Sequence, residues 1–307
     1  MMTKLTVAVC QCACQRFDFE KTLLHLQKYS KEAAAKGAQL ALFPEAFIGG
    51  YPRYSHFGAV IGNRSDAGRQ EFLEYHQAAI SLTDGNDKST ELQRIEQVAR
   101  EENLFLVIGI IERGGSTLYC AVIYIHPEHG LIHSRRKLMP TGTERVVWGF
   151  GDVKDVKAVP FNKDILLGAA ICWESYMPLL RYHMYSQNIQ IYLAPTADGR
   201  DTWASSMQHI AIEGRTYVLS ANQFVQTKDM PSGYVLPKEF SNSESVLTNG
   251  GSVIIDPFGK ILAGPLFGKE GVLVAEIDTD ECIKGKMDFD VCGHYARKDA
   301  FTLTVKE

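Results

Sequence analysis

No stretch of this 307-residue sequence approaches the roughly 20 consecutive apolar residues that a membrane-spanning helix requires. Basic residues are in slight deficit: 32 Lys and Arg stand against 36 Asp and Glu, for a formal charge of −4. That balance argues against a strong electrostatic nucleic-acid binder, which needs a basic surface. The densest basic cluster is Arg135-Arg136-Lys137, with apolar residues directly after it. Low-complexity tracts and long linkers are missing as well. The seven cysteines cannot all pair, which argues against a disulfide scaffold and suits a reducing compartment. Near the start, the apolar run Leu5–Cys10 is too short for a signal-peptide core and has no small-residue cleavage site behind it. The expected location is therefore the cytoplasm.

What is present reads as an ordinary globular chain, with 45% hydrophobic and 22% charged residues. A chain this long buries a sizeable core without disulfide or metal staples, and residues 1–307 are read as one domain. Helical and strand signals alternate. Leu5–Cys10 is β-rich, and Phe19–Lys36 has helical apolar spacing stopped by Gly37. Gln39–Phe43 reads as a short buried strand halted by Pro44. Thr90–Asn103 reads as a helix and Leu104–Ile111 as an apolar strand. Tyr119–Ile125 and Leu131–Ser134 flank a Pro-Glu-His-Gly hairpin turn; Gly251–Ile255 and Lys260–Ala263 flank Asp-Pro-Phe-Gly in the same way. Between them the pattern predicts strands at Ile165–Cys172, Ile189–Ala194 and Tyr217–Ala221, and helices at Leu179–Gln187 and Trp203–Gly214. The sum is α/β with some antiparallel pairing, and the hairpins hint at an internal two-fold arrangement. Gly49–Gly68 and Thr227–Asn249 are the least regular stretches, of a length that in a compact domain tends to be functional or mobile.

Three reactive side chains occupy strand exits. Glu45 follows Phe43-Pro44, Lys137 follows the strand at Leu131–Ser134, and Cys172 ends the run from Ile165. Ligands of open α/β sheets collect at the carboxyl ends of strands. Singly, each has a plainer explanation, since a lone cysteine packs and a lone charge is solvated. Together they supply a nucleophile, a base and a cation. No histidine lies near Cys172 in sequence, and His183 and His209 fall on helical stretches where structural or exposed roles are expected, with distant partnership still open. Cys10, Cys12 and Cys14 alternate along a predicted strand. No His or second Cys pair stands at ligand spacing, so they read as packing, and no metal site is expected.

Phe43-Pro44-Glu45-Ala46-Phe47, Arg136-Lys137-Leu138-Met139-Pro140-Thr141 and Cys172-Trp173-Glu174 resemble the three signatures of the nitrilase superfamily. The resemblance runs on through Gly142–Arg145, Val147–Gly149, Met177–Arg181, Ala194–Arg200, Gly214-Arg215 and Gly293–Arg297, almost the whole chain in order. Its details look like the nitrilase branch, whose members take a nitrile to an acid and ammonia. It implies a four-layer α-β-β-α sandwich, with Cys172 as nucleophile, Glu45 as general base, Lys137 as electrostatic stabiliser and Glu144 as a second acid beside them. It implies no metal and no organic cofactor. It also implies a homo-oligomer joined around Met177–Gln187, a dimer or larger. Trp148, Trp173 and Tyr51 become candidates for the substrate pocket, and the backbone N–H of Trp173 for holding developing negative charge. Ser175 and Lys298 depart from common family residues without touching the three reactive positions.

The chemistry is consistent with that resemblance. A free thiol is only a few per cent ionised near neutrality. Glu45 can take its proton if burial raises the carboxylate's proton affinity. A fixed ammonium at Lys137 is suited to the negative charge that forms on a nitrile nitrogen. The alternatives are an amidase or carbamoylase with the same three residues, and an idle scaffold or partner-binding protein. The filled nucleophile, base, cation and second-acid positions speak against the latter. Aliphatic, arylacetonitrile, cyano-amino-acid and cyanide substrates all stay open.

Overall fold

The computed structural model describes residues 4–306. In chain order the elements are β1 (Lys4–Gln11), α1 (Phe19–Ala35), β2 (Leu40–Leu42), α2 (Asp66–Ala78), β3 (Thr83–Asp84), β4 (Asp87–Lys88), α3 (Thr90–Glu101), β5 (Phe105–Gly114), β6 (Thr117–His126) and β7 (Gly130–Arg136). The second half contributes β8 (Val159–Pro160), β9 (Leu166–Ala169), α4 (Pro178–Ser186), β10 (Ile191–Pro195), α5 (Thr202–Gly214), β11 (Tyr217–Ala221), β12 (Phe224–Gln226), β13 (Val246–Ile255), β14 (Ile261–Phe267), β15 (Gly271–Asp278) and α6 (Asp280–Asp288).

Two large sheets result. One has six strands in the order β15-β1-β2-β5-β6-β7; the other has seven, in the order β12-β13-β11-β10-β9-β8 with β14 on β13. The alternation of apolar side chains decides which face goes where. On β1, Leu5, Val7 and Val9 join Leu40 and Leu42 of β2 in a layer shared with Leu167, Ala169, Ile191, Leu193 and Leu219 of the second sheet. The opposite faces carry the outer layers. Ala8, Cys10, Ala41 and Leu106 meet Leu23, Leu26, Ile95 and Val98 of α1 and α3. Tyr192, Ala194, Val218 and Val253 meet Leu180, Met184, Met207 and Ile210 of α4 and α5. This is the four-layer α-β-β-α sandwich. A one-residue slip in any of these strands would turn its inner set outward, at about 1.5–3 kcal/mol for each large side chain exposed. No helix among the described residues is long and apolar enough to cross a membrane.

Strand direction brings the exits together. β1 and β2 are parallel, as are β2 and β5. The β5-β6-β7 meander is antiparallel at each step, so β7 again runs with β2. In the second sheet β9, β10 and β11 are mutually parallel. The residues just past β2 and β7 therefore open at one edge, and those past β9 and β10 open at a common edge of the other sheet.

Three elements run differently from the pattern in the sequence. The strand expected to reach Cys172 stops at Ala169, and Cys172–Tyr176 is a 3-10 turn. Helix α2 begins at Asp66, inside the expected irregular segment, because the Ser65 hydroxyl caps it at the Gly68 N–H. β15 pairs antiparallel with all of β1, from Lys4 with Asp278 to Gln11 with Gly271; that partnership between the two ends of the chain has no local signal.

Candidate active site

Glu45 sits one residue past the proline that closes the β2 exit. Ala46 turns the chain at φ +49°, and the Ile48 N–H donates to the Gly109 carbonyl of β5 at 3.1 Å. The Glu45 backbone lies so close to Gly109 that a Cβ there would stand 2.2 Å from the Pro44 oxygen and 2.7 Å from the Glu45 Cα. A glycine is required at that crossing. The Gln223 side chain holds the other side, donating to the Glu45 carbonyl at 3.0 Å.

Lys137 follows β7 with its N–H donating to the Cys120 carbonyl at 2.7 Å and its own carbonyl accepting from Gly151 at 2.8 Å. Its side chain is fully buried. Nζ donates to Oε1 of Glu45 at 2.6 Å and to Oε2 of Glu144 at 2.8 Å. Glu144 is held in turn: Oε2 accepts from the Thr141 N–H at 2.6 Å and Oε1 from the Tyr51 hydroxyl at 2.7 Å. The Cys120 thiol lies 3.6 Å from the same Glu45 oxygen that Lys137 holds. The second oxygen of Glu45, Oε2, is buried with no hydrogen-bond partner in the protein.

Cys172 opens the 3-10 turn at φ +54°, the left-handed region that costs a β-carbon residue about 1–2 kcal/mol. Strain of this kind persists only where the surroundings over-determine it. Here the clamp is the Glu174 carboxylate, which accepts from the Ile171 N–H at 2.7 Å and the Leu138 N–H at 2.5 Å, and pairs with the buried Arg135. One side chain thus ties the Cys172 turn to the Lys137 loop. The Thr196 hydroxyl, just past β10, donates to the Cys172 sulfur at 3.2 Å and accepts from the Asp198 N–H at 2.9 Å.

Burial pushes the Cys172 thiol up to about 12; Glu45 adds to this, while Lys137, Thr196 and the Ala197 backbone oppose it. Glu45 is also raised, by burial first and by Glu144, against the pull of Lys137. Burial opposes the charge on Lys137, yet Glu45, with the neighbouring thiols and Glu144, outweighs it and holds the ammonium well above the ordinary lysine range. These directions favour the thiol form of Cys172 and the ammonium form of Lys137.

Cys172 and Glu144 line a cavity of about 480 Å³ with Tyr51, Trp173, Arg200 and Asn249 among others, and the fully buried Lys137 and Glu45 connect to it through Glu144. Trp173 is anchored by its indole N–H on Asp198 at 2.8 Å. Trp148, expected at the pocket, stands one layer back. Its indole N–H is spent on the Tyr75 hydroxyl at 3.2 Å, and its ring packs edge-on against Tyr51 at 5.8 Å. Neither helical histidine reaches the cavity: His183 bonds the Val156 carbonyl at 3.1 Å, and His209 is exposed beside Glu213. Among the described residues, His126, Glu128 and His129 place their ligand atoms within 4.8 Å of one another, a grouping able to hold a metal ion. They lie on the β6–β7 turn, at the far end of β7 from Lys137.

The carbon-nitrogen hydrolase family model matches residues 6–286. This chain belongs to that family, in its nitrilase branch. It is 46% identical to an arylacetonitrilase of Trametes versicolor, over 100% of this chain and 98% of that protein. It is 47% identical to an aliphatic nitrilase of Sinorhizobium fredii, over 100% and 97%. It is 46% identical to a bifunctional nitrilase/nitrile hydratase of Nicotiana tabacum, over 95% and 83%. Among solved structures, a carbon-nitrogen hydrolase from Helicobacter pylori superposes with a TM-score of 0.72, at 18% identity and 97% coverage of each chain. A nitrilase-superfamily member from Saccharomyces cerevisiae gives 0.71 at 19% identity, covering 95% of this chain and 97% of that one. At such identities these two speak for the fold.

In this hydrolase two contacts escaped the sequence patterns. Thr196 follows a strand as Cys172 and Lys137 do, so the strand-exit rule could have found it. Nothing in the spacing marks Glu174 as the clamp between two loops. Glu174→Gln keeps the shape but leaves Arg135 as a buried, unpaired cation and weakens its hold on both amides. We expect a stability loss of about 3 kcal/mol and a lower kcat with little change in KM, read by thermal melting and steady-state kinetics. A variant with wild-type melting temperature and kcat would remove the clamp from the mechanism.

Proposed function

We propose that this chain, acting as one domain, hydrolyses an organic nitrile to the carboxylic acid and ammonia, with Cys172 as nucleophile, Glu45 as general base and Lys137 as stabiliser. The observation that carries the proposal is the convergence of a thiol that lines the cavity with a buried carboxylate, one of whose oxygens has no hydrogen-bond partner in the protein, and the fixed ammonium bonded to that carboxylate. The nitrilases aligned with nearly the whole chain at 46–47% identity favour a nitrile over an amide as substrate. An amidase or carbamoylase is the second reading, since the same three groups serve it.

The steps follow from the geometry. Glu45 takes the thiol proton as sulfur attacks the nitrile carbon, and the proton passes to nitrogen, giving a thioimidate. Lys137 stabilises the charge that develops on that nitrogen. Water, deprotonated by Glu45, adds to the thioimidate carbon. The tetrahedral adduct loses ammonia to leave a thioester, and a second water releases the acid and restores the thiol. Glu144 holds Lys137 in place throughout, and Trp173 and Tyr51 contact the substrate. Exposed Tyr176 just before α4 and Leu179 in its first turn suit a homo-oligomer joined through Met177–Gln187, and seven free cysteines suit the cytoplasm.

The tetrahedral adduct can expel ammonia or thiolate. Lys137, braced by Glu144, keeps the nitrogen protonated, so carboxylate should dominate over amide. A barrier difference of about 1.4 kcal/mol already gives a tenfold preference. Product quantification over several nitriles tests this, and amide as the main product throughout would make the chain a hydratase. The acid side of the pH profile follows from Glu45. The base works only when ionised, and its affinity for protons is raised. Activity should therefore decline, as pH falls, through a value above the roughly 4.3 of an ordinary glutamate. An acid limb at or below that value in kcat/KM would contradict the assignment.

A further inference from the structure

Behind Tyr51 the catalytic cavity adjoins a small chamber of about 30 Å³, room for roughly two water-sized groups. The two share Tyr51, Arg53 and Ala197 as walls. Two arginines, Arg16 and Arg53, line the chamber, and no carboxylate does.

Arg16 is the unusual one. It is only 5% exposed, and Nε, Nη1 and Nη2 make no hydrogen bond of good geometry in the protein; the neutral Tyr234 hydroxyl is near enough to feel the guanidinium but too poorly placed to satisfy the fork. The aromatic ring of Phe17 lies 4.7 Å from its guanidinium carbon and that of Tyr234 lies 4.0 Å away. Tyr234 is itself fixed by its hydroxyl donating to the Arg53 carbonyl at 2.7 Å. Gly50, at φ +88°, leaves room for the Arg16 stem, since a Cβ there would stand 3.0 Å from its Cγ. A guanidinium does not give up its proton. Aromatic faces accommodate the charge but leave the in-plane N–H groups unsatisfied, and burying such donors without an acceptor is costly. That N–H fork matches a carboxylate bidentately.

We infer that Arg16, with Arg53 beside it, is an anion subsite, and that the preferred substrates are cyanocarboxylates, nitriles with a carboxylate at the end remote from the cyano carbon. This rests on the nitrile reading above and narrows its substrate class. The carboxylate accepts from the Arg16 fork while the cyano carbon lies at Cys172. A neutral nitrile of equal length leaves the guanidinium unpaired and forgoes that interaction.

The test uses the full chain and measures ammonia release from saturated cyanocarboxylates of increasing spacer length, each against its methyl ester. At one or more spacer lengths the acid should have the higher kcat/KM by about 30-fold or more. In Arg16→Met that acid-to-ester ratio should collapse by a similar factor. A second measurement needs no variant: simple alkanoates should inhibit wild-type turnover of a neutral nitrile competitively, and alkanamides of the same length should not. Esters matching or beating the acids at every spacer would overturn the subsite. So would an unchanged ratio in Arg16→Met, or equal inhibition by alkanoate and alkanamide. Failure of every nitrile, charged or neutral, would instead overturn the nitrile reading and the inference with it.

Discussion

Cys172→Ala is expected to lower ammonia release by at least about 10⁴-fold while the fold survives. The sulfur is the only atom that leaves. The void is smaller than a methylene-sized defect in a large core, so the stability cost is about 1 kcal/mol. Alanine meets the same left-handed φ of +54° that cysteine already tolerates, so no new backbone strain arises. The Thr196 hydroxyl loses its acceptor but keeps the Asp198 N–H. The check pairs an ammonia assay with a melting curve on protein free of wild-type enzyme. Near wild-type turnover would remove Cys172 as nucleophile. A collapsed melting temperature would show that the thiol is structural.

Lys137 should be almost as sensitive, and for two separable reasons. Lys137→Ala deletes the one ammonium between Glu45 and Glu144, so two carboxylates are left facing each other in the interior. Breaking a buried pair in this way costs about 3–5 kcal/mol. Loss of the stabilising cation alone should lower kcat by about 10²–10³-fold. Lys137→Arg distinguishes the two effects. It restores a charge, so stability should recover in part. Its planar fork is larger than an ammonium and cannot place one nitrogen 2.6 Å from Glu45 and 2.8 Å from Glu144 at once. Activity in the Arg variant should therefore stay within about tenfold of the Ala variant, with the same kcat loss as its signature. Retention of a substantial fraction of wild-type kcat would mean that Lys137 acts only through remote positive charge.

Much of the layer structure is legible in the chain because it is repeated locally. The alternation of Leu5, Val7 and Val9 against Ala8 and Cys10 sorts one strand between the inner and outer layers, and Leu40 with Leu42 does the same for its neighbour. Helix α1 is bounded by Asp18, whose carboxylate accepts from the Lys21 N–H at 2.9 Å. Hairpin turns at Pro127–Gly130 and Asp256–Gly259 announce themselves by composition. Other elements carry weak local signals. Helix α2 buries only Gly68 and Tyr75, so its apolar stripe is too thin to recognise. Apolar Ala170 and Ile171 extend the expected strand to Cys172, whereas in the structure a carboxylate three residues past Ile171 captures its N–H and turns the chain.

By itself the sequence determined the reactive groups and their order. The carboxylate and the thiol follow buried apolar runs, the ammonium follows the half-buried strand β7, and patterning places all three at strand exits. Only the tertiary structure decided that these exits meet. The β2–β7 alignment, Gly109 behind Glu45 and Glu174 between the two loops set the Lys137 contacts at 2.6 and 2.8 Å. It also decided which side chains have no partner. Arg16 reads in sequence as one more charged residue near a helix start. It becomes a candidate anion receptor because residues more than 200 positions away, Tyr234 among them, close over it and bring no carboxylate with them. Local patterning fixes what a short segment does with its own atoms, whereas the electrostatic state of a buried group depends on every element packed against it.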